Sequence, residues 1–133
     1  MKKFRAVLAG LIVIAFMNGC LSTCPCSCGA KSDVQHVVVF WLKDHGNVKD
    51  QERLVQAAKD LAKLPGVLGV KVGTVLPSER PVVESTYDVA MVFSFVNKQA
   101  LADYEAHPVH RKAVDEVIKP LVSKIIVYDF VEK

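Results

Sequence analysis

The seven residues Tyr104-Glu105-Ala106-His107-Pro108-Val109-His110 put a phenol and two imidazoles together at a helix junction. A helix N-terminus is electropositive, so an imidazole in its first turn tends to lose its proton and become able to accept one. His110 therefore reads as a neutral general base. Tyr104, one turn before the break, reads as a hydrogen-bond donor to a carbonyl or enolate oxygen. The chain offers no Ser or Cys nucleophile arrangement, no phosphate loop and no cofactor motif, so proton abstraction beside a carbonyl is the most economical reaction and calls for no cofactor. Structural readings stand beside this one. His107 precedes a proline where an N-cap belongs and satisfies backbone N–H groups there, and His110 donates to a buried carbonyl. His36, His107, His110 and Asp88 are suitable metal-ligand types, but no spacing among them specifies a metal site.

Around this run the pattern predicts alternating strands and helices. His36 to Lys43 is β-branched and aromatic, hence a strand. Asn47 caps a helix from Val48 to Leu64, with Leu54, Ala58, Leu61 and Leu64 on one face, and Pro65-Gly66 stops it. Val67 to Leu76 is a second strand in which Val70, Val72 and Thr74 share a side and Gly69 and Gly73 mark a bulge or a close approach. A loop through two prolines leads to a third strand, Tyr87 to Val96. Asn97 caps a second helix to Ala106. The chain breaks at His107-Pro108 and restarts with Pro108 in the first turn, where a missing N–H costs nothing. Val109, Ala113, Val117 and Leu121 predict the buried stripe of that last helix, and Pro120 its end. Ser123 to Val131 is the fourth strand.

The order β-α-β-β-α-β is that of α+β, ferredoxin-like folds, in which two helices cover one face of an antiparallel sheet. Strands as apolar on both sides as Val37 to Trp41 and Ile125 to Tyr128 require cover for the other face too. A second subunit packed sheet to sheet supplies it.

Of the 133 residues, the first 33 do not belong to this pattern. Lys2, Lys3 and Arg5 followed by apolar Ala6 to Met17 read as a secretory leader over residues 1–19, too short for a membrane span of roughly 20 residues. Met17-Asn18-Gly19-Cys20 resembles a lipobox, which makes Cys20 the lipidated N-terminus of an exported, envelope-anchored protein. Leu21 rather than Asp after it, by resemblance to Gram-negative lipoproteins, implies the periplasmic side of the outer membrane. Ordinary cleavage further on, for example after Ala30, and an uncleaved anchor are the alternatives. Residues 20–33 form a Cys-rich tether, and Cys24, Cys26 and Cys28 fit either an oxidised or acylated strand or a soft-metal site. Without the leader's three basic residues the 17 Lys and Arg fall to 14, equal to the 14 Asp and Glu. A neutral domain with no basic run gives no basis for nucleic-acid binding. Residues 34–133 form the one remaining domain.

His36-Val37-Val38-Val39-Phe40-Trp41-Leu42-Lys43, Leu64-Pro65-Gly66-Val67, Tyr87-Asp88 opening a strand that ends in Phe95, Tyr104-x-x-His107-Pro108-x-His110 and Tyr128-Asp129-Phe130 together resemble the stress-responsive dimeric A/B barrel (Dabb) domain. The resemblance spans His36 to Phe130. It implies a dimeric α+β barrel joined through its sheets. By the family's cofactor-free polyketide cyclase it implies Tyr104 and His110 as acting residues and His36 as a pocket-lining histidine. That cyclase has a strand histidine where this chain has Val89, beside Asp88, so the same reaction does not carry over directly. The expected site is an apolar pocket with Tyr104, His110 and His36 at its polar end, and His107 and Asp88 as further ligand-binding candidates. Three functions stay open: binding of a small hydrophobic molecule, cofactor-independent acid–base catalysis, and metal handling by the cysteine tether with the histidines.

Overall fold

The computed structural model describes residues 34–133; the expected leader, the lipidated Cys20 and the tether with Cys24, Cys26 and Cys28 lie outside the described residues. β1 (Val34–Leu42) alternates in burial as its sequence requires, because successive strand side chains point to opposite faces. Val34, His36, Val38, Phe40 and Leu42 lie beneath the helices, and the residues between them face the other way. α1 (Val48–Leu61) starts at Asn47, whose side chain accepts from the Asp50 N–H at 3.2 Å, and buries Leu54, Ala58 and Leu61. It ends one turn before the expected Leu64. That residue precedes Pro65, whose ring disfavours helical backbone there, and Gly66 at φ 86° turns the chain.

β2 (Val67–Thr74) and β3 (Val89–Phe95) follow, both shorter than their apolar runs. β2 carries its irregularity between Val67 and Gly69, and a side chain at Gly69 or Gly73 would meet nothing within 4 Å. Gly69 therefore marks a bulge, Gly73 pairs in regular register, and neither is a close approach. α2 (Lys98–Ala106) is capped by Asn97, which accepts from the Ala100 N–H at 2.9 Å. α3 (Pro108–Ala113) begins with proline as expected. β4 (Val122–Val131) completes an antiparallel sheet of order β2-β3-β1-β4. This is the ferredoxin-like arrangement. Phe40, Phe93, Phe95 and Leu54 sit at the centre of the core, each contributing roughly 1.5–3 kcal/mol by its burial.

The last helix departs from the expected stripe. After Ala113 it passes through one π-helical turn, Val114–Ile118, before a final α turn, α4 (Lys119–Leu121). The extra residue rotates the inward face forward. Ile118 and Leu121 are buried, whereas Val109 is 51% exposed. Pro120 does not end the helix but sits within its last turn. In a regular α-helix its ring would clash with the Glu116 carbonyl, and a wider turn just before it relieves that clash. Lys43 Nζ then caps the freed carbonyls of Lys119 and Pro120 at 3.2 and 2.9 Å.

Candidate functional site

A cavity of about 210 Å³ lies between the helix-covered face of the sheet and the run from α2 to the π turn. Its floor is apolar: Val38 and Phe40 from β1, Met91 and Phe93 from β3, Ile125 and Val127 from β4. Val114 and Ile118, brought to one side by the π turn, form the roof. His36, Tyr104, Glu105 and His110 supply the polar end. A space larger than the ~150 Å³ engineered cavity that admits benzene has room for a one-ring molecule.

Tyr104 is the hinge of this polar end. Its ring is buried against Phe93, Phe95 and His110 at centroid distances of 5.4, 5.1 and 4.6 Å, and against His36 at 6.4 Å. Among the described residues none hydrogen-bonds its hydroxyl. Burial, reinforced by the negative charge of Glu105, pushes the phenol well above its ordinary value of 10.0, so it stays a neutral donor.

His110 is fixed by its neighbour. Its Nδ1 lies 3.2 Å from the Glu105 carbonyl, and a carbonyl only accepts, so Nδ1 carries the proton and Nε2 keeps its lone pair. Burial lowers its pKa from 6.5, aided by the nearby His36 and Arg111 and opposed by the Glu105 carbonyl. The result is a neutral imidazole with one defined acceptor atom, on a side chain that lines the cavity. His36 is buried, and its Nδ1 lies 2.6 Å from Asp129 Oδ1, its cross-strand partner in the β1–β4 register.

The structure does not bring His107 and Asp88 to this place. His107 caps α3 and accepts from the Val109 N–H through Nδ1 at 3.2 Å. It is absent from the cavity lining because the proline break sends its ring to the helix end. Asp88 is buried at the start of β3 and clamps the turn after β1. It accepts from the N–H groups of Leu42 and Gly46 at 2.8 and 2.7 Å and pairs with His45 at 3.0 Å. Burial works against its charge, yet these donors outweigh it and hold the carboxyl below its ordinary value. The four-residue metal set of His36, His107, His110 and Asp88 is therefore not assembled. Asp129 and Glu105 are the site groups the sequence reading missed. Asp129 is two positions from the end of β4, and only the strand register reveals that it faces His36.

A family model described as the stress responsive A/B barrel domain matches residues 34–132. A stress-response A/B barrel domain-containing protein of Arabidopsis thaliana is 26% identical over 98 residues, covering 74% of this chain and 36% of that protein. The chain thus spans little more than a third of the length of that curated relative. Among solved structures, a Dabb family protein with a ferredoxin-like fold from Mesorhizobium loti is 27% identical, with a TM-score of 0.63 over 77% of this chain and 99% of that one. A dimeric ferredoxin-like protein from Thermobifida fusca is 22% identical, with a TM-score of 0.62 over 76% and 92%. The hydroxynitrile lyase of Passiflora edulis is 20% identical, with a TM-score of 0.62 over 77% and 94%.

Proposed function

The chain belongs to the stress responsive A/B barrel (Dabb) domain family, and from that premise we propose that it binds a small, mostly apolar molecule of about one ring bearing a hydroxyl or carbonyl group. One observation carries the reading. The Tyr104 hydroxyl, a donor without a partner among the described residues, and His110 Nε2, an acceptor left by a fixed tautomer, belong to side chains that share the polar end of an apolar cavity. Apolar floor and roof hold the body of the ligand, and the two polar atoms select its oxygen. Titration with an aromatic aldehyde and with the hydrocarbon of the same shape tests this by NMR shifts of cavity residues. The aldehyde should bind more tightly, and shifts confined to the outer sheet face would refute the site.

The neutral state of His110 favours a second reading, cofactor-independent proton transfer. Nε2 takes a proton from a hydroxyl or an acidic C–H, while Tyr104 O–H steadies the oxygen that gains charge. The relative named as a hydroxynitrile lyase makes hydroxynitriles the substrates to try first. Aldehyde release that disappears in His110→Ala would support it. Release that persists at the parental rate would refute it.

Two further proposals concern assembly and placement. The face of the sheet away from the helices carries Val39, Trp41, Val92, Ile126, Tyr128 and Phe130, with Tyr128 58% exposed in the single chain. A second copy packed on that face would give the homodimer, in line with neighbours described as dimeric. Residues 1–19 would serve as an export leader and Cys20 as a lipid attachment point that ties the domain to the cell envelope, outer membrane included. The support is the basic start, the short apolar run and Gly19-Cys20. Mass spectrometry of the membrane-extracted protein reads both lipidation and subunit number.

A further inference from the structure

We infer that His36, Glu105 and Asp129 form a divalent transition-metal site at the polar end of the cavity. One ring nitrogen of His36 and one carboxylate oxygen from each acid lie within 4.8 Å of one another. Ligand atoms around an ion with bonds of about 2.1 Å sit about 3 to 4 Å apart, so a small rotation of the exposed Glu105 closes the set.

Charge is the second argument. The two acids bring two negative charges into one small space. Among the described residues neither forms an ion pair with a Lys or Arg, and the Glu105 carboxylate is in no ion pair, its charge acting only through space on Tyr104 and His110. His36, even when protonated, answers only one of the two charges. A divalent cation answers both. The buried imidazole is the third argument: its ring is held in β1 facing Asp129, and the ion would replace the proton shared between Nδ1 and Oδ1, the exposed Asp129 moving back from 2.6 Å to about 3 Å to make room.

The donor set, one imidazole nitrogen and two carboxylate oxygens, suits Mn(II), Fe(II) or Zn(II) better than soft Cu(I). Three protein ligands also leave coordination positions free, which is the arrangement of metal sites that take an exogenous ligand. Since His36 and Glu105 both line the cavity, a hydroxyl or carbonyl there would be the natural occupant of such a position. The three ligands come from β1, α2 and β4, far apart in the chain, which is why no local spacing announces them. The inference stands whether or not the cavity takes an organic ligand.

Mn(II) alone is the probe, because a hard ion discriminates against the thiols of Cys24, Cys26 and Cys28. The full chain is titrated with Mn(II) and free ion is read by electron paramagnetic resonance. The expected result is one saturable site per chain, weakened at least tenfold in both Glu105→Gln and Asp129→Asn. Both residues are exposed, and a native circular dichroism spectrum with a cooperative melting transition confirms that each variant is folded. Changing Cys24, Cys26 and Cys28 to Ser should leave that site intact. Absence of a saturable site, survival of full affinity in both carboxylate variants, or loss in the cysteine variant would each overturn the inference.

Discussion

Replacing Tyr104 by Phe separates stability from recognition at one atom. The Tyr104 ring is 2% exposed and packed by three aromatic neighbours within 5.4 Å, and all of those contacts survive in Phe. The hydroxyl removed has no protein partner among the described residues, so no buried group is orphaned. Chemical unfolding followed by circular dichroism should therefore shift by less than about 0.5 kcal/mol. Tyr104→Ala empties the same space and should cost about 3–5 kcal/mol, as large aromatic truncations do. Recognition should respond the other way round. A neutral hydrogen bond contributes about 0.5–1.5 kcal/mol, so Tyr104→Phe should weaken an aromatic aldehyde about two- to twelvefold and leave the matching hydrocarbon unchanged. Calorimetric titration of both ligands reads this difference. Destabilisation well above 1 kcal/mol would mean that the hydroxyl is bonded inside the protein, and equal weakening of both ligands would mean that it does not face them; either result refutes the reasoning.

Burial lowers the His110 pKa from 6.5, so the unfolded chain takes up a proton before the folded one as pH falls. The stability this contributes is fully present above 6.5 and is lost as pH drops toward the folded value; His110→Gln should flatten the unfolding profile in that window. Asp88→Ala should cost on the order of 2–4 kcal/mol, because the Leu42 and Gly46 N–H groups lose their acceptor, yet leave ligand affinity unchanged. The folded Asp88 carboxyl lies below 3.8, so its contribution holds above that pH and disappears below it, which acid unfolding of Asp88→Asn checks. Tyr128→Glu places a charge on the outer sheet face without disturbing the core; native mass spectrometry should then find a monomer that still binds cavity ligands.

Strand and helix identities were legible because they rest on local signals. Asn47 and Asn97 cap where expected, and Pro108 opens α3, since side-chain capping and a fixed φ act within one turn. Tyr104, His110 and His36 all line one cavity. What escaped depends on longer range. The π turn at Val114–Ile118 answers to Pro120 and to packing over the cavity, and no periodicity rule counts its extra residue. Asp88 was drawn toward the site by its position in a motif, but its donors come from the turn after β1, across a sheet pairing. Asp129 needed the β1–β4 register before it could be set against His36.

That register also gives the proposed ligand and the proposed second copy opposite faces of one short sheet. His36 and Val37 are adjacent in β1, yet their side chains leave the strand on opposite sides, one toward Asp129 and the cavity, the other toward the open face beside Tyr128. A one-residue slip of β4 would exchange Asp129 with a neighbour, Tyr128 or Phe130, removing the carboxylate from His36 and placing an ionisable group among the apolar side chains of the open face. The short Tyr128-Asp129-Phe130 run therefore does two jobs at once. Its outer aromatics make the open face hydrophobic, and its central acid fixes the imidazole at the cavity. The alternation of two apolar rings around one carboxylate is what ties the assembly surface and the candidate site to a single strand register.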